Sequence, residues 1–456
     1  MLYNSVYNLF RSSPSVVRKL TGIIPLEYRL GGRLFSRTYA FLQESEHWNK
    51  EKIERYQQAM LQNFLEQAIK HVPFYRGIEL SSGNAFRNLE KFPIIEKAII
   101  QEDPVQFQNA VIPRNSTYYV TTGGSSGNPL GFYLDNNTFA KEWAFVMTAW
   151  KRAGYTPGDT LVSFRGVEFK HADKGVFWQD NPFYNTVEMS PYHMSEENLP
   201  GYIKKITECK PRFLHGYPSA ISILARYLEG KQMSFPPIKA VFAVSENIYS
   251  WQRELIERVF HTRLFSFYGM SEKVIMAPEC EVSCRYHAFP EYGITEIIRE
   301  DGSSAGEGET GELVGTGFLN QYMPFIRYRT GDFARCCEQT CECGRNHILF
   351  DNLKGRWLQE MIIGKNSSQI SVTALNLHSD VLAHVQQFQF YQRKPGELII
   401  RIIPKQNYGM ADEKLIVDAI QNKVGHELDV NIEIIDRIQL TERGKHRMLV
   451  QNFEKE

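Results

Sequence analysis

The segment TTGGSSGNP, at residues 121–129, is rich in glycine, serine and threonine and could bind a phosphate group. Glycine lets the backbone approach a ligand closely, and successive backbone N–H groups together with hydroxyls can surround a phosphate oxygen. The segment does not end in the Gly-Lys-Ser/Thr of a Walker A loop. Since apolar runs flank it on both sides, a hairpin turn on the surface is the alternative interpretation.

Two short motifs place acidic residues where nucleotide binding would need them. FYGMSE, at 267–272, follows an apolar run, so an aromatic ring could stack on a base and Glu272 could hold Mg²⁺ through oxygen. YRTGD, at 328–332, puts Asp332 after a glycine turn, where a carboxylate can accept hydrogen bonds from ribose hydroxyls. Each motif alone is weak evidence, because such short patterns occur by chance.

Two basic motifs and a cluster of cysteines complete the set of candidate residues. KGR lies at 354–356 and RGKHR at 443–447. Six of the seven cysteines lie between Cys280 and Cys343. In a reducing cytoplasm, cysteines clustered in this way bind metal more often than they form disulfides.

The charge balance excludes some classes of partner. The 456 residues contain 52 Lys+Arg and 52 Asp+Glu, so the formal net charge is zero. A protein that binds nucleic acid through bulk positive charge needs a basic surplus, and an acidic disordered chain needs the opposite. The hydrophobic fraction of 43% and the charged fraction of 23% are ordinary for a globular protein. We therefore expect a folded protein without a nucleic-acid partner.

The N-terminal residues bear on the location of the protein. The first 30 residues show no secretory signal, and no apolar run in the chain reaches the ~20 residues of a membrane span. We therefore expect a cytoplasmic protein without a transmembrane segment. The same 30 residues mix apolar side chains with Arg11, Arg18 and Lys19. Two interpretations stay open, an amphipathic lead-in or peripheral contact with a membrane, and the oligomeric state is also open.

Apolar periodicity predicts a layered α/β body. Short apolar runs at 160–164, 238–244 and 263–268 predict buried strands, and the helical patterns between them lie at 195–208, 218–229 and 248–260. This alternation is typical of helices packed on a sheet. Two further helices are predicted at 51–72, ended by Pro73, and at 137–153.

The sequence pattern changes twice after the predicted α/β layers. A hairpin predicted at 294–318 indicates a β-subdomain near 280–350. Beyond residue 356 the pattern is that of a small α+β domain with paired strands and a helix. The predicted organisation is a large N-terminal α/β domain (1–356) that carries the β-subdomain, followed by a small C-terminal α+β domain (357–456).

Taken in order, the motifs resemble those of the adenylate-forming superfamily, which includes acyl-CoA synthetases, peptide-synthetase adenylation domains and luciferases. The corresponding family motifs are the phosphate loop (TTGGSSGNP), the aromatic–Gly–Glu motif (FYGMSE), the ribose motif (YRTGD), the hinge (KGR) and the C-terminal lysine motif (ERGKHR). Three further segments are similar to the phenylacetate–CoA ligase and CapK branch: HVPFYRG (71–77), LHGYPSA (214–220) and CECGR (341–345). The resemblance spans roughly residues 40–450.

The resemblance implies a two-step reaction. A carboxylate attacks the α-phosphate of ATP to give an acyl-adenylate and pyrophosphate, and a nucleophile, often the CoA thiol, then takes the acyl group. The C-terminal domain of such enzymes rotates between the steps, so residues 357–456 would be a mobile lid. CapK-type relatives are associated with surface-polysaccharide assembly, which leaves an amine such as an amino sugar as an alternative acceptor. A non-catalytic homologue is the third alternative.

The resemblance also assigns roles to individual residues. The phosphates of ATP would be held by Thr121, Thr122, Ser125, Ser126 and Gly127. The aromatic–Gly–Glu motif would supply Tyr268, Gly269 and Ser271 near the adenine or α-phosphate, and Glu272 as the Mg²⁺ ligand. The remaining positions are Asp332 at the ribose, Arg356 at the ribose or phosphate, Lys445 at the adenylation transition state, and Ser245 with Glu246 at an adenine-contacting turn. Retention of the charged members favours an enzyme.

Two positions depart from the superfamily pattern. Leu130 follows Pro129, where many members have a lysine, and the phenylacetate ligase branch also lacks that lysine. Trp357 and the residues after it replace the paired acidic residues common at the hinge, so the pivot residue stays open. The identity of the carboxylic acid is equally open.

The cysteine cluster resembles a CapK-branch pattern in which a Cys/His group meets CxCGR across the β-subdomain. Its size suits a tetrahedral structural zinc site. The predicted ligands are Cys280, His287, Cys341 and Cys343, with Cys284 as the rival of His287. Four protein ligands would leave no position for an activated water, so the predicted role is structural. Buried free thiols are the alternative.

Overall fold

A computed structural model describes residues 20–122, 130–167, 169, 172–338, 340–355, 360–375, 377, 381–438 and 448–453. The chain forms two compact units. Unit 1 comprises Met1–Val120, Leu130–Gly158 and Phe265–Arg356. Unit 2 comprises Thr121–Pro129, Asp159–Leu264 and Trp357–Glu456. The predicted division of the chain at 356/357 stays a prediction.

The described α-helices number eleven, of which five precede the first strand and the other six lie between strands. They are α1 (Leu26–Arg29), α2 (Arg33–Ser45), α3 (Lys50–His71), α4 (Ala85–Leu89), α5 (Lys97–Glu102), α6 (Thr138–Lys151), α7 (Leu199–Cys209), α8 (Pro218–Gly230), α9 (Ser250–Phe260), α10 (Val372–Leu375) and α11 (Met410–Val424). Short 3₁₀ turns occupy Pro73–Tyr75, Pro104–Phe107, Arg114–Ser116, Ala172–Lys174 and Gly425–Glu427. Among the described residues, no helix combines the length and apolar character that crossing a bilayer requires.

The described strands form several separate sheets. They are β1 (Thr117–Thr121), β2 (Gly131–Asp135), β3 (Leu161–Phe164), β4 (Trp178–Asn181), β5 (Thr186–Met189), β6 (Phe213–Gly216), β7 (Ala240–Ala243), β8 (Leu264–Gly269), β9 (Met276–Pro278), β10 (Tyr286–Ala288), β11 (Gly293–Ile298), β12 (Thr310–Gly317), β13 (Tyr328–Cys336), β14 (Ile348–Lys354), β15 (Met361–Ile363), β16 (Gln369–Ser371), β17 (Val385–Gln392), β18 (Glu397–Pro404), β19 (Asp429–Ile434) and β20 (Leu449–Gln451).

Helix α3 follows its sequence pattern closely. The side chain of Asn49 caps the helix by accepting the N–H of Lys52 at 2.9 Å. The apolar residues at helical spacing include Ile53, Phe64 and Ala68, and all three are buried. Pro73 cannot continue the helical hydrogen bonds, and the helix ends at His71. The prediction of a helix over 51–72 is confirmed.

The β-subdomain in unit 1 is a five-stranded antiparallel sheet with the order β10-β14-β13-β12-β11. Strands β11 and β12 form the predicted hairpin, with Ile294 opposite Thr316. A β-bulge interrupts the pairing of β12 with β13 between Glu312 and Val314. Because a bulge bends and twists its strand, it redirects the side chains that follow. Strands β8 and β9 form a further antiparallel hairpin with Tyr268 opposite Ala277.

Unit 2 contains the predicted α/β layers. Its strands pair in the order β4-β5-β3-β6-β7, and β5, β3, β6 and β7 run parallel. Helices α7 and α8 connect successive parallel strands, as parallel pairing requires. Helix α7 begins at Leu199 rather than at the predicted residue 195. Pro200 explains this difference, because proline lacks an N–H and is tolerated only in the first turn of a helix.

The C-terminal residues of unit 2 form a four-stranded sheet with the order β19-β18-β17-β20 and the helix α11. Strands β17 and β18 are antiparallel, whereas β19 and β20 each run parallel to a neighbour. Ile416, Ile420 and Val424 of α11 are buried, as their spacing predicts. They belong to one apolar cluster that also contains Leu214 of β6 and Val241 of β7. The C-terminal segment therefore shares a core with the parallel sheet in this structure.

Candidate active site and candidate metal centre

Strands β8 and β13 bring two of the sequence motifs together within unit 1. Tyr268 is buried near the end of β8, and its hydroxyl donates a hydrogen bond of 2.9 Å to Oδ2 of Asp332 on β13. Burial and the neighbouring carboxylate of Asp332 raise the pKa of Tyr268 well above its ordinary value. The tyrosine therefore stays protonated and holds the carboxylate in one orientation.

The backbone before Asp332 is fixed by Glu312 of β12. Its carboxylate accepts the N–H of Gly331 at 2.8 Å and the Nε–H of Arg329 at 2.7 Å. Gly331 has φ +74°, a conformation that glycine adopts without strain. The hydroxyl of Thr330 in turn accepts the N–H of Asp332 at 3.1 Å. These contacts determine where the Asp332 carboxylate lies.

Glu272 lies in the turn between β8 and β9 and is buried. The hydroxyl of Tyr328 donates to its Oε1 at 2.9 Å. The next residue, Lys273, has φ +59° and forms an ion pair of 2.8 Å with Glu142 of α6. Tyr292 donates a second hydrogen bond of 2.6 Å to Glu142. The turn that carries Glu272 is thus attached to α6 through Lys273.

Gly269 and Ser271 flank this turn. Gly269 is exposed and ends β8, and Ser271 is half-buried. Both are therefore accessible to a ligand at the same turn. Magnesium in phosphate sites is held by one or two carboxylates together with phosphate oxygens, and the carboxylate of Glu272 suits such a site.

The predicted phosphate loop is only partly within the described residues. Thr121 ends β1, Thr122 follows it, and β2 begins at Gly131, so the loop connects two paired strands. Five other predicted site residues lie outside the described residues. They are Ser125, Ser126, Gly127, Arg356 and Lys445.

The predicted adenine-contacting turn lies in unit 2, directly after β7. Ser245 is exposed and has φ +66°, which is uncommon for a residue other than glycine. The Glu246 carboxylate accepts the N–H of Ser219 at 3.1 Å and its hydroxyl at 3.0 Å, at the start of α8. Ser371 of β16 donates to the same carboxylate. Burial raises the pKa of Glu246, and these donors partly offset that effect.

Two histidines of unit 2, His193 and His215, are buried. Nδ1 of His215 lies 3.2 Å from the hydroxyl of Ser163 on the neighbouring strand. His193 lies 2.7 Å from the hydroxyl of Ser190 and stacks on Phe177 with ring centroids 4.7 Å apart. Burial lowers the pKa of His193 to about 4 and that of His215 well below its ordinary value. Both are therefore neutral at pH 7.

The four predicted zinc ligands lie together in unit 1. Their ligand atoms all lie within 4.8 Å of one another. The sulfurs of Cys280 and Cys341 are 3.7 Å apart, and Sγ of Cys343 is 3.6 Å from Nε2 of His287. A tetrahedral zinc with Zn–S bonds of about 2.3 Å separates two sulfurs by about 3.8 Å. Cys284 is exposed and does not belong to this group.

The protonation state of His287 is suited to metal binding. Burial, with smaller effects from Arg152 and Arg345, lowers its pKa to about 3. The imidazole is therefore neutral at pH 7, which is the form that coordinates a metal. Its Nδ1 is buried and has no hydrogen-bond partner among the described residues. The donor set of three thiols and one neutral imidazole fits zinc.

A buried network of charged residues surrounds the cysteine and histidine cluster. Arg345 donates to Glu46 at 2.7 Å and to both oxygens of Glu281 at 2.7 and 2.8 Å. Arg152, which directly follows α6, donates to the same oxygen of Glu46 at 3.1 Å. Both arginine side chains are almost fully buried. Pairing of this kind compensates the cost of burying charge, and it connects α2 and α6 to the residues around the cluster.

Sequence reasoning missed several of these residues. Tyr328 opens the YRTGD motif, but its hydrogen bond to Glu272 spans 56 positions and has no local signature. Glu312, Glu142 and Arg152 belong to no motif. Arg345 belongs to the CECGR motif, so its closeness to Cys341 and Cys343 could have been read from the sequence.

The fold of the chain is that of the adenylate-forming CoA ligases. The structure of 2-hydroxyisobutyryl-CoA ligase in complex with 2-HIB-AMP and CoA matches with a TM-score of 0.56 at 18% identity. The match covers 90% of this chain and 92% of that chain. A likeness at this identity establishes the architecture of the chain.

Sequence comparisons show which proteins the chain is similar to. Protein CapK of Staphylococcus aureus is 26% identical over 384 residues, which is 80% of this chain and 81% of the relative. A phenylacetate–coenzyme A ligase of Thermus thermophilus is 26% identical over 371 residues, 78% of this chain and 81% of the relative. The family described as the CapK C-terminal domain matches residues 362–452. The chain thus resembles the adenylate-forming superfamily, and in particular its phenylacetate–CoA ligase and CapK-like branch.

Proposed function

We propose that the protein is an ATP-dependent ligase that activates a carboxylic acid as its acyl-adenylate and releases pyrophosphate. The observation that carries this proposal is the pair of hydrogen bonds from Tyr268 to Asp332 and from Tyr328 to Glu272. Each bond orients a carboxylate of a nucleotide motif. A chain that had lost the chemistry would have no reason to keep both carboxylates oriented.

In the adenylation step, the residues of the chain position ATP rather than form a covalent bond to it. Asp332 accepts hydrogen bonds from the ribose hydroxyls, and its orientation is set by Tyr268 and by Glu312 through Gly331. Glu272 would hold Mg²⁺, which would neutralise charge on the phosphates. Positioning and charge stabilisation of this kind supply most of the rate enhancement in reactions at phosphorus.

The other assigned residues complete the ATP site in this proposal. Thr121, Thr122, Ser125, Ser126 and Gly127 hold the phosphates. Tyr268, Gly269 and Ser271 border the nucleotide, as do Ser245, Glu246 and Arg356. Lys445 places a cation near the carboxylate and α-phosphate oxygens, where negative charge builds up in the transition state.

In the second step, we propose that the acyl group passes to the thiol of CoA. The phenylacetate–coenzyme A ligase relative and the matching fold of a CoA ligase structure support this acceptor. The thiol attacks the acyl carbon, and AMP leaves with the electron pair of the broken acyl–phosphate bond.

A second candidate transfers the acyl group to an amine, for example on an amino sugar used in surface polysaccharide. The match of residues 362–452 to the CapK C-terminal domain favours this candidate, because the C-terminal domain takes part in the second half-reaction in this superfamily. The two candidates share the adenylation step and differ only in the nucleophile.

We also propose that Cys280, His287, Cys341 and Cys343 bind one structural Zn²⁺. The separations of 3.7 and 3.6 Å between donor atoms suit a tetrahedral ion. None of the seven cysteines, all of which the structure describes, forms a disulfide, which agrees with a cytoplasmic location, where thiols stay reduced and ATP is supplied.

The test is pyrophosphate–ATP exchange with the full-length protein and a panel of carboxylic acids. We expect at least one acid to support exchange. Mass spectrometry of reactions that contain the active acid with either CoA or amino sugars then identifies the acceptor, as an acyl-CoA or an amide. Absence of exchange with every acid in a broad panel would favour a non-catalytic homologue.

A further inference from the structure

Exposed apolar side chains are concentrated around helix α1. We call this surface the N-terminal patch, which consists of Leu20, Ile23, Ile24, Tyr28, Arg33 and Arg37. Sixteen large apolar side chains are exposed in the described chain, and four of them fall within the nine residues 20–28. Ile23 is 77% exposed and Tyr28 is 71% exposed. Such a concentration marks an interaction surface rather than scattered surface residues.

The patch is attached firmly to unit 1. Leu26, Leu30 and Phe35 lie between its exposed members in sequence and are buried. Gly31 has φ +120°, and a Cβ there would lie 2.4 Å from Cβ of Ala140 in α6. The turn between α1 and α2 therefore packs tightly against α6. Because this segment is anchored, Ile23 and Tyr28 stay exposed instead of folding onto the body.

The charge of the same region is strongly asymmetric. Residues 1–37 contain six basic residues and one acidic residue, a net charge of +5 in a chain whose net charge is zero. Arg33 and Arg37 are exposed on α2, one turn apart. Neither forms an ion pair with any residue that the structure describes. Both guanidinium groups are therefore available to an anionic partner.

We propose that the N-terminal patch docks the protein reversibly onto an anionic lipid bilayer. Ile23, Ile24 and Tyr28 would enter the headgroup region, while Arg33 and Arg37 contact lipid phosphates. A surface that binds a membrane peripherally needs apolar side chains that enter the headgroup region and cations that attract anionic lipids. This inference does not depend on the proposed enzymatic function.

Each alternative partner would account for only one of two features of the patch, the exposed apolar side chains or the exposed arginines. A second copy of the chain could cover the apolar side chains, but it would bring the exposed Arg33 and Arg37 of one copy close to those of the other. A nucleic acid could neutralise the arginines, but it would leave Ile23 and Ile24 in contact with water. A lipid surface accommodates both the charge and the apolar side chains.

Sedimentation of the full-length protein with large unilamellar vesicles tests the proposal. We expect binding to vesicles with about 30 mol % phosphatidylglycerol and little binding to pure phosphatidylcholine. The partition coefficient should fall more than about tenfold when NaCl is raised from about 0.1 to about 0.5 M, because salt screens the attraction. Ile23→Ser/Ile24→Ser should reduce it about tenfold or more, and Arg33→Gln/Arg37→Gln about fivefold per arginine.

The matched control is Val282→Ser/Met410→Ser, which removes two other exposed apolar side chains and should leave the partition coefficient unchanged. Circular dichroism and thermal unfolding verify that each variant is folded. Failure of the wild-type protein to bind anionic vesicles at low salt would overturn the proposal. So would equal binding to neutral vesicles, or unchanged binding of the folded Ile23→Ser/Ile24→Ser variant. A dimer in sedimentation equilibrium that this variant abolishes, without vesicle binding, would assign the patch to a second copy.

Discussion

The hydroxyl of Tyr268 lies 2.9 Å from Oδ2 of Asp332, which joins two motifs that are 64 positions apart in the sequence. Both residues belong to strands of unit 1, and the surrounding hydrogen bonds fix the carboxylate before any ligand binds. Prior orientation of this kind reduces the entropy that ligand binding must remove. Loss of this hydroxyl should therefore weaken the binding of ATP.

Tyr268→Phe removes the donor and leaves the ring. Hydrogen bonds to charged groups contribute about 1.5–3 kcal/mol, so we expect the KM for ATP to rise about tenfold in pyrophosphate–ATP exchange. The exchange rate at saturating ATP should change less. Tyr322→Phe is the control, because its hydroxyl donates to Gln108 at 2.9 Å, away from both motifs. An unchanged KM for ATP in folded Tyr268→Phe would show that Asp332 needs no such support.

Tyr328→Phe should alter the dependence on magnesium. Tyr328 is fully buried and donates to Glu272, so its loss leaves that carboxylate less well oriented. We expect the Mg²⁺ concentration for half-maximal exchange to rise about three- to tenfold. A variant whose kcat falls while its Mg²⁺ dependence stays unchanged would indicate that Tyr328 acts on packing alone.

Lys445→Ala should abolish exchange without unfolding the protein. Lys445 is proposed to stabilise negative charge that develops in the transition state, and loss of such a group typically costs a factor of about 10² or more in rate. The control is Lys414→Ala, which removes an exposed cation from α11. Exchange by Lys445→Ala at the wild-type rate would contradict the assignment.

The purified protein should contain about one equivalent of zinc. Cys341→Ser should lose the metal and lower the unfolding temperature by about 5–10 °C, since binding of the ion adds to the free energy of folding. Cys284→Ser should keep the metal, because Cys284 is exposed and outside the cluster. A metal-free wild-type protein that is stable to chelators would exclude the zinc site. Metal affinity should also decrease as pH falls, since thiols and imidazole bind metal only when deprotonated.

His193 should make stability depend on pH. Its pKa is about 4 in the folded protein, against an ordinary value of 6.5, so between these pH values the unfolded chain binds a proton that the folded protein does not. The free energy of unfolding must then decrease as pH falls through this window, and His193 alone accounts for about 2 kcal/mol near pH 5. At pH 7, which is above both pKa values, His193 lowers the free energy of unfolding very little.

His193→Gln cannot titrate, so its free energy of unfolding should decrease less between pH 7 and pH 5 than that of the wild type. Urea unfolding at the two pH values measures the difference. His426→Gln is the matched control, because it removes an exposed histidine of the same unit. Identical pH profiles for the wild type and His193→Gln would contradict the burial argument.

The local structure can be predicted from the amino-acid sequence. Helix α3 follows from apolar spacing, an asparagine cap and Pro73, and hairpin β11–β12 follows from two apolar runs around a glycine-rich turn. The sequence also determined which residue types could bind a nucleotide, since the motifs are contiguous. These features are local, and local periodicity is what a sequence records directly.

Only in the folded chain do residues that are distant in the sequence come into contact. Cys280 and Cys341 are 61 positions apart, and only the pairing of the β-subdomain strands brings their sulfurs to 3.7 Å. The fold also brings His287, and not Cys284, into the cluster. The same fold places the hydroxyl of Tyr328 within 2.9 Å of Oε1 of Glu272. Such contacts depend on strand register, which is set by packing across the whole sheet, so no single segment encodes them.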